Sequence, residues 1–185
     1  MSLARICAAL TLFMAAGSAM AHPGHGAGFA AGFAHPYGGF DHLLAMVAVG
    51  LLAAQAGGRA LWAMPASFVG AMLAGGALGF AGLALPAVEP MILASVVILG
   101  VLVAMAVRLP LTATLPMIAL FGVAHGWAHG AEGPASGMAI YAAGFALVTA
   151  ALHGAGIVLG RGLNGWGQRG LGGAAALAGL ALAVA

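Results

Sequence analysis

The sequence predicts an all-α protein, a polytopic bundle of about six transmembrane helices behind a cleaved N-terminal signal peptide. Three observations predict it. Hydrophobic residues fill 64% of the 185 positions and charged residues only 4%, too few charges to coat a soluble surface. Apolar stretches recur along the whole chain, punctuated by Gly, Pro or Arg. A short N-terminal apolar run follows Arg5 and ends in Ala19-Met20-Ala21, the small-x-small pattern of a secretory cleavage site. Cleavage there leaves a single transmembrane domain over residues 22–185, opening with His22 and His25.

The six spans are expected at about 39–56, 62–85, 91–107, 111–125, 138–160 and 170–184. The first follows Pro36 and Gly38, which release the chain from any preceding helix. Arg59 separates it from the second, and the run Leu85-Pro-Ala-Val-Glu-Pro turns the chain into the third. Arg108 and Pro110 close the third, Gly133 and Pro134 the fourth, and the Arg161 to Arg169 pair the fifth. With the mature N-terminus outside, these arginines all fall on the cytoplasmic side, whereas Glu89 and Glu132 fall outside. The topology therefore obeys the positive-inside rule.

Charge and cysteine usage exclude several functions. The formal charge of +2 comes from five arginines against Asp41, Glu89 and Glu132, with no lysine. No basic patch suggests nucleic acid. Cys7 is the only cysteine and lies in the signal segment, so the mature chain has neither a disulfide nor a thiolate ligand. Any bound metal must be held by nitrogen and oxygen. Many Gly and Ala residues favour tight helix packing, within one protomer or in a homo-oligomer.

The scarce ionisable groups gather in two clusters at span edges: His35-Pro-Tyr-Gly-Gly-Phe-Asp41-His42 and His125-Gly-Trp-Ala-His129-Gly-Ala-Glu132. Ionisable side chains near a bilayer are costly and point to a site. Imidazole with carboxylate favours a divalent metal ion. If the fourth span continues through Glu132, His125, His129 and Glu132 follow i, i+4, i+7 along one face. Their axial spread of roughly 10 Å, at about 1.5 Å per residue, is too long for one ion on an ideal helix, so two adjacent sites or a broken helix are implied. Gly126 and Gly130 have small-xxx-small spacing and could serve only to pack another helix.

In the first cluster, neighbours Asp41 and His42 point about 100° apart on a helix. They could form a structural ion pair, share a wide or distorted cavity, or have the carboxylate orient the imidazole. His35 belongs at the lip. Glu89 is either a cation-recruiting group at the mouth or a solvated turn carboxylate. His153, past the middle of the fifth span, is either a deeper transfer ligand or a neutral histidine satisfied by a neighbouring helix. His22 and His25 could capture metal near the mature N-terminus. Neutral imidazole is the binding form, so capture should weaken in acid.

HPYGGFDH fits the pattern HPxxGxDH, and HGWAHGAE fits HGxAHGxE. On these two motifs, correctly ordered, and on the HPG that opens the mature chain, the sequence resembles the HupE/UreJ family. Ala124 departs from the phenylalanine that often precedes the first histidine of the second motif. The resemblance implies a nickel permease of the bacterial inner membrane, a secondary transporter rather than an enzyme, supplying hydrogenase or urease maturation; by ligand chemistry cobalt is a natural second substrate. It implies no prosthetic group. Its partners would be the divalent ion and the lipid bilayer. Carried over by position, its metal residues are His35, Asp41, His42, His125, His129 and Glu132.

No Walker motif encodes an ATP-driven step. An intramembrane zinc-dependent hydrolase is the competing reading from another class, since His, His and Asp could activate water on zinc. Against it, the only serines of the mature chain, Ser67, Ser95 and Ser136, are expected away from both motifs. A periplasm-facing metal sensor or binding module is a third reading, with short loops offering little surface to an output partner.

Overall fold

The computed structural model describes residues 28–184. The signal segment 1–21, His22 and His25 lie outside the described residues. The described chain forms α1 (Phe29–Ala34), a 3-10 turn (His35–Gly38), α2 (Phe40–Ala56), α3 (Ala60–Phe80), α4 (Val88–Met105), α5 (Leu111–Glu132), α6 (Met138–Gly162) and α7 (Gly165–Val184). No strand occurs among the described residues. The all-α expectation is thus met.

Among the described residues four helices, α3 to α6, are long and apolar enough to cross a membrane, and the α1 and 3-10 segment with α2, bent by 91°, passes the same test as a pair. By length and composition, four to five spans thus qualify among the described residues, against about six expected. Helix α7 forms where the sixth was expected, but it starts earlier and carries Gln168 and Arg169. These two residues work at its foot: Gln168 donates to the Gly160 carbonyl, and Arg169 Nε donates to the Ala104 carbonyl at 2.8 Å.

Local chemistry explains the boundaries. Helix α2 ends at Gly57, whose positive φ of 70° suits glycine, and Gly58 at 52° completes the turn into α3. Pro110, extended at φ −62° and ψ 147°, precedes the first turn of α5. Alanines 87 and 106 occupy left-handed conformations at the two ends of α4.

Helices α3 and α5 form the tightest pair. A Cβ at Gly126 would fall on the Met72 carbonyl and one at Gly130 on the Gly76 carbonyl, so only hydrogen fits there. From the other side, Gly75 and Gly79 meet the backbone at Val123 and Trp127. The small-xxx-small spacing of Gly126 and Gly130 therefore does pack a helix, in addition to whatever His125 and His129 beside them do. Helices α2 and α6 cross closely at Gly50 and Gly156, which sets the His153 backbone against α2. The core between these helices contains Met46, Val49, Phe68, Met72, Val96 and Ile118.

Candidate functional site

The bend in the first span builds one half of the site. Pro36 opens the 3-10 turn, and Gly39 is extended at φ −123° and ψ 118° before α2 begins. This break swings His35 away from the α2 axis and lays its ring 4.7 Å from that of His129, measured between centroids. His35 also stands edge-on to Tyr141 at 5.7 Å and Phe145 at 6.2 Å. Its Nε2 is 4.0 Å from Glu132 Oε2, with 58% of the Glu132 side chain exposed. His35, His129 and Glu132 each offer one ligand atom within 4.8 Å of the other two, a donor set suited to a divalent ion at the lip of the bundle.

Just inside the break, Asp41 and His42 occupy the first turn of α2. Asp41 Oδ1 accepts from the His42 backbone N–H at 2.7 Å and sits 2.8 Å from His42 Nδ1. A carboxylate accepts only, so Nδ1 carries a proton, and in the neutral ring Nε2 keeps the lone pair. That Nε2 is buried without a hydrogen-bond partner among the described residues. Of the alternatives open from the sequence, the geometry matches a carboxylate that orients its neighbouring imidazole.

The second motif supplies the other half. Helix α5 runs unbroken to Glu132, so the i, i+4, i+7 stripe forms and the broken-helix alternative does not. The stripe is shared between two levels. His129 and Glu132 meet His35, while His125 meets His42 with centroids 4.6 Å apart. His42 and His129 are 4.4 Å apart, which links the levels. Four imidazoles therefore stand in file, His35, His129, His42 and His125, from the lip into the core. His125 is fully buried and His129 nearly so. His129 has no hydrogen-bond partner for either ring nitrogen among the described residues, and His125 none for Nδ1. Buried polar atoms of this kind normally find a partner, and their gathering here is what a ligand would satisfy.

One reading of the serines needs correcting. Ser95, distant in sequence, lies on α4 with Oγ 2.9 Å from His125 Nε2 and 2.6 Å from the Ile92 carbonyl. Neither the spacing nor the composition announced it, because the contact joins two helices. Phe68 was also missed. Its ring lies 5.4 Å from His125 and 5.2 Å from His153, and so neighbours both. Both ring nitrogens of His153 are buried with no hydrogen-bond partner among the described residues. The neighbouring helix does not satisfy this histidine.

Glu89 occupies the exposed first turn of α4 rather than a turn between helices. It shares an end of the bundle with Glu132, because Trp127 Nε1 donates to the Leu83 carbonyl at 2.6 Å and ties the α3–α4 connection to α5. Arg59, Arg108, Arg161 and Arg169 all lie towards the opposite end. Beside the file, a cavity of about 380 Å³ opens between α3, α5 and α6 and is lined by Met72, Gly126, His129, Tyr141 and Phe145 among others.

A polytopic helical membrane protein with a file of four histidines running inward from one end is the class these features define. The sequence matches the family described as HupE / UreJ protein over residues 10–182. It is 45% identical over 176 residues to Protein HupE of Rhizobium leguminosarum bv. viciae, covering 90% of each chain. The chain belongs to the HupE/UreJ family. No solved structure matches it.

Proposed function

We propose that this chain is a secondary permease that carries nickel, and cobalt as second substrate, from periplasm to cytoplasm across the inner membrane, supplying hydrogenase or urease maturation. The observation that carries the reading is the file of imidazoles, with successive centroids 4.7, 4.4 and 4.6 Å apart. A single catalytic metal needs one ligand cluster, whereas conduction needs several donors in series that strip water and then let go. The carboxylates of Glu132 and Asp41 offset part of the cost of drawing a dication toward hydrocarbon.

In this reading His35, His129 and Glu132 receive the ion, His42 and His125 take it next, and Asp41 holds His42 in its donor form. His153, beside Phe68, is the inner acceptor. Glu89 adds negative potential at the mouth. The arginines at the other end support a cytoplasmic position for that end by the positive-inside rule. Family membership supports nickel as cargo, and imidazole with carboxylate is compatible with it.

The test is nickel accumulation in sealed proteoliposomes, comparing wild type with Asp41→Ala and His129→Ala and offering cobalt, zinc and copper as competitors. Flux lost in both variants supports the route, and the competition ranks the cargo. Wild-type vesicles that bind nickel without accumulating it would overturn the permease reading and favour a metal sensor.

A further inference from the structure

We propose that Ser95 is a positioning residue that holds His125 as its Nε2–H tautomer and thereby presents Nδ1 as a metal donor. The proposal rests on the metal-path reading and adds to it a residue outside both motifs.

The argument is a count of protons. Ser95 has one hydroxyl hydrogen and two close neighbours, the Ile92 carbonyl at 2.6 Å and His125 Nε2 at 2.9 Å. A carbonyl oxygen can only accept, so the shorter contact takes the hydroxyl hydrogen. The second contact is then a hydrogen bond only if His125 Nε2–H donates to Ser95 Oγ. A neutral imidazole has a single N–H, so Nδ1 holds the lone pair. That Nδ1 is buried and has no partner among the described residues.

Burial strengthens the case. Ser95 and His125 are both fully enclosed, so no bulk water competes for either atom. A serine bonded to a carbonyl three residues back is a modest local device that on its own slightly weakens its helix. Here the same oxygen also receives an imidazole from another helix. The arrangement parallels the one at His42, where Asp41 accepts from Nδ1–H and Nε2 has no partner among the described residues. Two adjacent rings, 4.6 Å apart, are thus each held in one tautomer by a group on the side away from the lone pair. The holders differ. An ionised carboxylate raises ligand basicity, whereas a hydroxyl fixes the ring while adding no charge deep in the bundle. That difference suits a series whose inner member must release its ion.

The experiment uses the full chain in detergent, labelled with 15N-histidine and free of metal, together with nickel titration. Nitrogen–proton correlation spectra report each ring's tautomer, with His125 assigned by the signal lost in His125→Gln. His125 is expected as Nε2–H in wild type and in Ser95→Thr, which keeps the hydroxyl. In Ser95→Ala a mixture of tautomers should appear, and nickel affinity should fall about 10–100-fold, the usual loss for an outer partner of a metal-bound histidine. Ser67→Ala removes the Oγ that donates to the Leu115 carbonyl at 3.1 Å between α3 and α5, and should change neither readout.

An unchanged His125 tautomer in Ser95→Ala would overturn the proposal, as would an equal loss of affinity in Ser95→Ala and Ser95→Thr. If Ser95→Ala does not fold, Ser95→Cys, with its weaker acceptor, carries the same test, and wild-type tautomer and affinity in it would be equally fatal. The spectra are read without metal, so a failed tautomer lock is distinguishable from a failed metal path. The latter would appear as wild-type nickel binding in His125→Gln.

Discussion

The imidazoles of His42 and His129 stand 4.4 Å apart at an interplanar angle of 62°, and through this pair the two motifs become one structure. His42 comes from the first turn of α2 and His129 from the last turn of α5. Residues that act as a unit lose function together rather than additively. In the proposed route, His42→Ala and His129→Ala should each reduce vesicle nickel flux at least about tenfold, and the double variant should be little worse than the poorer single one. Losses that multiply would mean that the two rings serve separate routes.

Asp41 should matter through charge and geometry together. Its Oδ1 meets His42 Nδ1 at 2.8 Å. Asp41→Ala removes the acceptor, and nickel affinity should fall about 10–100-fold. Asp41→Asn keeps a carbonyl that accepts the same proton but lacks the charge, so it should fall between wild type and Asp41→Ala. Equal affinities for the two variants would show that the carboxylate binds the ion directly through charge and does not act through His42.

Helix α5 carries histidines and glycines on adjoining faces, so its position depends on the glycines. Gly126→Val would drive a side chain into the Met72 backbone. Overpacking of this kind costs about 1–3 kcal/mol, and thermal unfolding in detergent should read it as a lower midpoint. A Cβ added at Gly70 in α3 would meet nothing within 4 Å, so Gly70→Ala should stay within about 0.5 kcal/mol of wild type. Equal shifts for both would refute the close-packing account.

How much of this was legible in the sequence follows from the range of each interaction. The stripe His125, His129, Glu132 was legible because helical periodicity is local, and it only required α5 to continue to Glu132. The division of that stripe into two levels was half legible, since about 1.5 Å of rise per residue already ruled out a single ion. Helix α1 was missed because six apolar residues ahead of Pro36 are too few to register as a span. Ser95 and Phe68 were illegible for a different reason. Their contacts to His125 cross between helices, and nothing in local composition encodes which faces meet. Helix ends shifted by a few residues where a Gly or Pro near a span edge was read as a stop. Such residues are tolerated in membrane helices when a neighbouring helix packs against them, as Gly126 does with Met72.

The outer cluster should control capture more than throughput. His35 and Glu132 sit at the lip, with Glu132 largely exposed, so a dication meets them first. Glu132→Gln removes a charge but keeps the shape, and the nickel concentration for half-maximal uptake should rise about 10-fold or more with a smaller change in maximal rate. Uptake measured across nickel concentrations separates the two. A fall in maximal rate at unchanged half-saturation would place Glu132 in the transfer step.

His153 gives the opposite expectation, and it separates a conducting file from a binding pocket. It is fully buried on α6, with the Phe68 ring neighbouring both it and His125. Neither of its ring nitrogens has a hydrogen-bond partner among the described residues. A buried polar atom without a partner costs about 1–3 kcal/mol, so an apolar ring of similar size should be tolerated or even stabilising there. His153→Phe should therefore fold at least as well as wild type, with an equal or higher unfolding midpoint. If the ion passes His153, that variant should still bind nickel at the outer cluster with near wild-type affinity while its flux falls at least about tenfold, because the next donor in the series has gone. Binding titration and vesicle uptake on the same preparation decide the matter. Unchanged flux would end the file at His125, and lost binding with lost flux would make His153 a support for the cluster rather than a step beyond it.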